Sequence, residues 1–158
     1  MASLKELVKD PSTIIVDVRS PMEYAMDHIP NAINVPFEDN WQDPAAAGKL
    51  SKKQVTDNSG MALKNTADLK KLYAKLDPDK ETVVYCQSGV RASETATVLK
   101  SLGFKKVKVY DSSWLGWGNN LKAPVADEAF LNVGALNAKM AAMQSKINQL
   151  EEALKAKN

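Results

Sequence analysis

Four short apolar runs rich in β-branched residues, separated by helical patterns, constrain the fold of this chain more than any other feature. They are Thr13–Val18, Ile33–Val35, Thr82–Cys86 and Val107–Tyr110. Strands buried on both faces of a parallel sheet have this composition, and parallel strands are usually joined by helices. The alternation therefore predicts an α/β layered domain with a parallel central sheet. In such domains the functional site lies outside the carboxyl ends of the strands.

Two of the intervening segments carry clear helix signals. Asn65 or Thr66 can cap a helix that has one apolar face and ends before Asp77. A second helix is predicted from Ala92 to Gly103, because glycine is the favoured residue where a helix ends in a left-handed turn. Both helices are placed where crossovers between parallel strands are needed.

The only cysteine of the chain, Cys86, falls at the turn between a predicted strand and the helix that follows it. The first N–H groups of a helix have no intrahelical partner, so they stabilise an anion placed above them. A helix N-terminus and a neighbouring arginine, here Arg91, can lower a cysteine pKa by roughly one to several units from about 8.5. Gly89 and Ser88 allow a tight turn. Cys86 is therefore a candidate thiolate; the alternative is a buried apolar residue at a strand end.

Several stretches around this turn add a family resemblance. The stretches are Val16–Tyr24, His28–Pro36, Tyr85–Ala92, Leu102–Phe104 and Val109–Gly118. In their order and spacing they resemble the signatures of the rhodanese family of sulfurtransferases, and with their connections they cover about residues 3–120. Their combination is far more specific than any single motif.

The resemblance implies a rhodanese-like three-layer domain and a persulfide relay. In such a relay the Cys86 thiolate attacks the outer sulfur of a small donor such as thiosulfate or polysulfide, and the sulfur then passes to a thiol or cyanide acceptor. An anion cradle would bind the donor, with Arg91 orienting it. The cradle residues are Gln87, Ser88, Gly89, Val90, Arg91 and Ala92. No metal or organic cofactor is expected, since the single histidine excludes the usual Cys/His zinc clusters.

Two other functions remain open. Phosphatases of the same fold place five residues between the cysteine and the arginine, whereas four lie between Cys86 and Arg91. The tighter ring favours sulfur transfer over phosphoryl transfer. The second alternative is a sulfur carrier or interaction module without turnover, docked to a partner enzyme by the C-terminal helix.

Glu23 departs from the pattern of the tandem-domain members of the family. In those thiosulfate and mercaptopyruvate sulfurtransferases, an arginine that grips the donor anion precedes a tyrosine, whereas here Glu23 precedes Tyr24. Glu23 instead completes a capping box with Ser20. Donor binding is then expected to rest on Arg91 and the loop amides. This disfavours mercaptopyruvate and leaves thiosulfate, polysulfide or a protein persulfide open.

Four further residues lie in or near these motifs. Asp17 and Arg19 are expected to form an ion pair that holds the motif, and His28 is expected to pack rather than to act as a base. Trp41 lies in the long connection over residues 37–64, where it either caps the donor pocket or buries itself.

After Pro124 the chain carries a heptad pattern. Asp127 can cap a helix whose apolar residues alternate spacings of three and four. These residues are Val133, Leu136, Met140, Met143, Ile147, Leu150 and Leu154. Such a helix, about 45 Å long, exceeds what one small domain can cover, so a homo-oligomer formed through residues 127–157 is expected; the alternative is packing on the chain's own domain. The predicted division is a catalytic domain over 1–124 and a helical segment over 125–158.

Charge and hydropathy mainly exclude partners. A net charge of +2 with 25% charged residues gives no reason to expect nucleic acid as a partner. The absence of a signal segment and of a long apolar span predicts a soluble protein with no membrane partner. The chain leads from Met1 directly into a helix capped by Ser3, where single rhodanese domains usually have a small strand. A removed secretory signal would fit this start and a periplasmic location.

Overall fold

The computed structural model describes residues 4–54, 60–120, 123–127 and 133–155, and within them the side chains other than those of residues 50, 51 and 133–137. The strands of the described part are β1 (Thr13–Asp17), β2 (Ala32–Asn34), β3 (Glu81–Tyr85) and β4 (Lys106–Val109). They form one parallel sheet in the order β2-β1-β3-β4. The four predicted strands are confirmed. Each ends one residue earlier than the sequence pattern indicated, because the apolar pattern continues into the first residue of the following turn.

Helices precede, connect and follow the strands of this sheet. In the described ranges they are α1 (Leu4–Leu7), α2 (Pro21–Met26), α3 (Ala46–Ser51), α4 (Thr66–Leu72), α5 (Val90–Ser101), α6 (Ser113–Gly118) and α7 (Val133–Lys155). A 3₁₀ turn at Phe37–Asn40 follows β2. The alternation of strands and helices is the one predicted for an α/β domain.

The two faces of the sheet are covered by different helices. Side chains alternate along a strand, so neighbouring residues of β3 face opposite layers. Val84 packs with α4 and α5, including Leu99. Val83 packs on the other side with Trp114 and Trp117 of α6. The result is the expected three-layer arrangement.

The helix predicted before β3 is shorter than expected. Asn65 caps it as predicted, since its side chain accepts the backbone N–H of Asp68 at 2.9 Å. However, α4 ends at Leu72 and does not continue to the residue before Asp77. The backbone leaves the helical region at Tyr73, where φ is −97° and ψ is 11°.

The C-terminal helix α7 is confirmed and has 23 residues. At 1.5 Å per residue the described helix is about 35 Å long. This is shorter than the helix expected from the sequence, because its described start lies after residues 128–132. Those residues, which follow the predicted cap at Asp127, lie outside the described part, as does the predicted cap at Ser3. In the described ranges, no helix combines the length and apolar character needed to cross a bilayer.

The apolar stripe of α7 is exposed where its side chains are described. Five members are 44–63% exposed, and they are Met140, Met143, Ile147, Leu150 and Leu154. The rest of the described chain therefore does not cover them. This disfavours the alternative in which the stripe packs on the chain's own domain.

Candidate active site

Cys86 lies directly after the carboxyl end of β3, at the edge of the sheet where the sequence predicts a site. It is 1% exposed and belongs to the core cluster that also contains Val84 and Ala92. Residues 86–92, called the Cys86 loop below, fold back over the sulfur. The backbone N–H of Gly89 donates to Sγ at 3.0 Å. The loop is thus closed around the atom that would react.

Gly89 permits this closure. It is the N-cap residue of α5 and has a φ of +101°, in the region that side chains rarely adopt. A Cβ at this position would lie 2.9 Å from the carbonyl oxygen of Asp111. Because Gly89 makes the turn, α5 begins at Val90, two residues before the predicted start at Ala92.

The pKa of the Cys86 thiol is lowered from its ordinary value. Burial raises the pKa, but hydrogen bonds from the backbone N–H groups of Ala92, Ser88 and Gly89 outweigh it, with a smaller contribution from the Ser113 hydroxyl. These donors favour the charged form of the thiol. The backbone of the Cys86 loop can therefore hold an anionic sulfur without a side-chain base.

The side chains of the predicted cradle differ in solvent exposure. Gln87 is half-buried and Ser88 is exposed. Val90 is 69% exposed, whereas Ala92 is buried. Arg91 is half-buried and adds the one charged side chain of residues 87–92. The predicted cradle would therefore consist of backbone N–H groups, with Arg91 as its one charged side chain.

Arg91 binds Glu23 of α2 through both ends of its guanidinium. Its Nη2 donates to Oε1 at 3.1 Å and its Nη1 donates to Oε2 at 3.2 Å. Glu38 Oε1 lies 3.9 Å from Nη1. Glu23 also makes the predicted capping box with Ser20. Burial raises the pKa of Glu23, but the hydrogen bonds from Arg91 and Ser20 lower it to about 2.

Ser113 is the site residue that sequence reasoning missed. It is fully buried at the start of α6 and has a φ of +47°. Its Oγ accepts the backbone N–H of Cys86 at 3.2 Å and donates to the carbonyl oxygen of Tyr110 at 2.9 Å. The distance from Oγ to Sγ is 3.9 Å. A small hydroxyl residue just after a strand end was the signal available, but only the fold brings it to Cys86.

The predicted ion pair of Asp17 and Arg19 is confirmed. Arg19 Nη2 lies 2.8 Å from Asp17 Oδ2, and the two side chains are 2% and 0% exposed. Asp27 accepts a second contact from Arg19 at 3.3 Å. The Tyr85 hydroxyl donates to Asp17 at 2.6 Å, and the Trp114 ring centroid lies 4.5 Å from the guanidinium carbon of Arg19. This group, called the Arg19 cluster, joins β1, β3, the C-terminal end of α2, and α6.

His28 packs as predicted. Its ring stacks on Tyr24 with 3.8 Å between centroids, and Nδ1 lies 2.9 Å from the Tyr24 carbonyl oxygen. Its backbone pairs with that of Ala126. Among the residues described, no group of three or more His, Cys, Asp or Glu side chains is placed to hold a metal ion.

Trp41 lines a pocket of about 290 Å³ between the 37–64 connection and α5. Phe37, Leu63 and Val98 contribute to its lining. Trp41 meets Phe37 edge to face, with 5.5 Å between ring centroids. The lining of this pocket contains no residue of the Cys86 loop, so a role for Trp41 in capping the donor stays a prediction.

Comparison with solved structures shows the same fold. The anaerobic ergothioneine biosynthesis enzyme from Chlorobium limicola matches with a TM-score of 0.59 and 24% identity, covering 76% of this chain and 29% of that one. The Alr3790 protein from Anabaena matches with a TM-score of 0.54 and 20% identity, covering 77% of this chain and 85% of that one.

Comparison of sequences is more specific. The thiosulfate sulfurtransferase of Corynebacterium glutamicum is 37% identical over 139 residues, which covers 77% of this chain and 41% of that protein. The chain therefore spans about two fifths of the length of the curated relatives that it matches. The family model of the rhodanese-like domain matches residues 1–120, which contain the sheet, the Cys86 loop and both arginine–carboxylate pairs. The chain belongs to the rhodanese-like domain family.

Proposed function

We propose that this chain is a sulfurtransferase that carries a sulfane sulfur as a persulfide on Cys86. The observation that carries the proposal is the buried sulfur of Cys86, which accepts the Gly89 N–H at 3.0 Å and whose pKa is lowered by the surrounding amides. A thiolate is the reactive form of cysteine. The N–H groups of the Cys86 loop favour this thiolate form.

The first step loads sulfur onto the enzyme. With thiosulfate as donor, the Cys86 thiolate attacks the outer sulfur and a new S–S bond forms. The S–S bond within thiosulfate breaks, and its electron pair leaves with sulfite. The product on the enzyme is a persulfide anion, and the N–H groups that face Sγ are placed to stabilise it.

The second step unloads the sulfur. The acceptor, a thiol or cyanide, attacks the outer sulfur of the Cys86 persulfide. The S–S bond to Cys86 breaks, and the electron pair returns to Sγ as thiolate. With cyanide the product is thiocyanate; with a thiolate it is a new persulfide. One cysteine therefore suffices for the cycle, which agrees with the single cysteine of the sequence.

Thiosulfate and polysulfide are the small donors we propose. Thiosulfate is supported by the name of the relative from Corynebacterium glutamicum, thiosulfate sulfurtransferase. Polysulfide is supported by the loop itself, because the amides that face Sγ would accept any sulfane sulfur that the thiolate can attack. Arg91, at the rim, is the proposed donor-orienting residue.

The test is sulfur transfer from thiosulfate to cyanide by the native chain and by Cys86→Ala, with intact mass recorded before and after donor treatment. We expect turnover and a transient gain of about 32 Da in the native chain, and neither in the variant. Phosphate-ester hydrolysis by the native chain that is lost in Cys86→Ser would instead support the phosphatase alternative. Absence of both turnover and added mass with thiosulfate and with polysulfide would contradict the proposal.

We also propose that α7 forms a homo-oligomer through its apolar stripe. The five described members of the stripe are 44–63% exposed, and burying them between copies is favoured by about 25 cal/mol per Å² of apolar area. Light scattering on the full chain and on Leu150→Lys tests this. We expect an oligomer that the lysine dissociates; a native monomer would contradict it.

The alternative of a carrier or interaction module is favoured by the same exposed stripe, which could instead dock a partner enzyme. Turnover with small donors separates the two functions. A chain that gains sulfur only from a partner protein, and never from thiosulfate or polysulfide, would identify the carrier.

A further inference from the structure

The donor-orienting arginine is already occupied. Both terminal nitrogens of Arg91 donate to Glu23, at 3.1 and 3.2 Å. The carboxylate is held from its other side as well, because Glu23 Oε2 accepts from the Ser20 backbone N–H at 2.9 Å and from the Ser20 hydroxyl at 2.8 Å. Glu23 is therefore fixed in place before any donor arrives.

The charges around this pair disfavour the binding of a doubly negative donor such as thiosulfate. Glu38 lies 3.9 Å from Arg91, so two acidic side chains face one guanidinium. The low pKa of Glu23 keeps it ionised at neutral pH. A Cys86 thiolate adds another negative charge. Like charges at these distances repel, and partial burial weakens screening by solvent.

The three side chains are nevertheless within reach of solvent. Arg91, Glu23 and Glu38 are 25%, 33% and 39% exposed. A small anion can consequently compete for the guanidinium. It must displace a carboxylate that belongs to the same chain, and such a group competes at an effective concentration in the millimolar range or above.

We propose that Glu23 acts as an internal anion that occupies Arg91 and so makes thiosulfate a slower donor than an organic persulfide, which carries at most one net negative charge. The proposal rests on the sulfurtransferase function above and names its donor class. An organic persulfide needs only the loop amides, which bind the reacting sulfur. Thiosulfate needs the guanidinium as well, because two charges must be balanced.

The loading step with such a donor is balanced in atoms and charge. The Cys86 thiolate attacks the outer sulfur of R–S–SH, and a bond forms between Sγ and that sulfur. The S–S bond of the donor breaks, and its electron pair leaves on the inner sulfur as R–S⁻. The proton stays on the transferred sulfur, so Cys86 becomes a persulfide without an added oxidant.

The test is Glu23→Gln, which removes the charge and keeps the capping box because glutamine serves at the same position. The measurement is the second-order rate constant of sulfur loading, followed by rapid quench and intact mass, with thiosulfate and with cysteine persulfide. We expect the thiosulfate-to-persulfide ratio of rate constants to rise about tenfold in Glu23→Gln. Glu38→Gln should raise it by a smaller factor, since Glu38 lies farther from Arg91.

The matched control is Glu81→Gln, which makes the same charge change at the amino end of β3, away from the carboxyl edge that holds Cys86. This control should leave the ratio at its native value. Ionic strength supplies a second readout. Salt should increase thiosulfate loading in the native chain, where it screens repulsion, and should increase it less in Glu23→Gln.

An unchanged or lower ratio in a folded Glu23→Gln variant would overturn the inference, and thermal unfolding of each variant establishes that it is folded. This failure differs from failure of the proposed function. If the native chain gains no sulfur from either donor, the sulfurtransferase function itself is wrong. If it gains sulfur from both at a ratio that Glu23 does not affect, only the donor selection is wrong.

Discussion

Two arginine–carboxylate groups lie at the carboxyl edge of the sheet, and they differ in burial. The Arg19 cluster is buried, with Arg19 and Asp17 at 2% and 0% exposure. The Arg91 cluster, formed by Glu23, Glu38 and Arg91, is a quarter to two fifths exposed. Both contain one guanidinium between two acids.

Because of this difference in burial, one group is expected to keep its partners and the other to exchange them. A buried ion pair cannot lose one partner without leaving the other charge unsolvated. A partly exposed pair can be opened by water or by a ligand at small cost. The Arg19 cluster therefore fixes the relative positions of β3, α2 and α6, whereas Arg91 can exchange its partner, as the proposed binding of a donor requires.

The largest expected effect comes from removing each arginine in turn. Arg19→Ala leaves Asp17 buried without its counter-ion, and we expect a loss of about 3–5 kcal/mol in the free energy of unfolding. Arg91→Ala is the matched variant and should cost about 1 kcal/mol or less. Urea unfolding of both variants measures the difference. Equal losses of stability in Arg19→Ala and Arg91→Ala would contradict the difference between the two groups.

The second effect concerns the backbone at Gly89, which begins the helix that carries Arg91. Gly89→Ala puts a Cβ 2.9 Å from the Asp111 carbonyl oxygen at a φ of +101°. We expect a stability loss of about 2–3 kcal/mol. Its control is Gly103→Ala, where φ is +98° and the added Cβ meets nothing within 4 Å, with a cost of about 1 kcal/mol.

The same pair of variants reports on the thiol. In Gly89→Ala the amides move away from Sγ, so the pKa of Cys86 should rise, whereas Gly103→Ala should leave it as in the native chain. The pH dependence of iodoacetamide alkylation measures this. A native alkylation profile in Gly89→Ala would show that the loop amides do not set the pKa.

A third, smaller effect comes from Ser113, which links the two regions because it bonds Cys86 while its neighbour Trp114 stacks on Arg19. Ser113→Ala leaves the buried N–H of Cys86 without a partner, at a cost of about 1–2 kcal/mol. The pKa of Cys86 should rise only slightly, since the Ser113 proton is shared with a nearer oxygen. Ser112→Ala, at the exposed adjacent position, is the control; equal losses in the two variants would contradict this role.

The smallest effect is the acid dependence of the Arg91 cluster. The pKa of Glu23 in the fold is about 2, below its ordinary 4.5. Its ionised form therefore stabilises the fold fully above pH 4.5, and this contribution is lost as the pH falls toward about 2. Because Glu23 and Arg91 are partly exposed, we expect about 1 kcal/mol or less. The free energy of unfolding, measured with urea at several pH values in this range, should fall less steeply with decreasing pH in Glu23→Gln than in the native chain. An equal pH dependence in the two proteins would contradict this role of Glu23.

Local patterns in the sequence were enough to predict the strands, the helix caps at Ser20 and Asn65, and the Arg19 pair. Asp17 and Arg19 are two residues apart at one strand end, and Ser20 and Glu23 share one helical turn. Contacts of this kind depend on a few neighbouring dihedral angles. For that reason the Asp17–Arg19 pair and the capping box could be predicted and were confirmed.

The second partner of Glu23 could not be predicted in the same way. Glu23 and Arg91 are 68 residues apart, and they meet because α2 and the start of α5 reach the same edge of the sheet. Ser113 reaches Cys86 across 27 residues for the same reason. The sequence indicated which residues carry charge or a hydroxyl group, while the packing of the layers determined which of them meet.

The burial of Cys86 Sγ has a consequence for oxidation. Peroxide oxidises accessible thiolates, and in the proposed loaded state the transferred atom lies between the solvent and Sγ of Cys86, a residue that is 1% exposed. A second sulfur bonded to it would extend about 2 Å beyond Sγ, the length of an S–S bond. Oxidative damage to the loaded enzyme would then fall first on the transferred atom, which the next turnover replaces, and the cysteine itself would be spared.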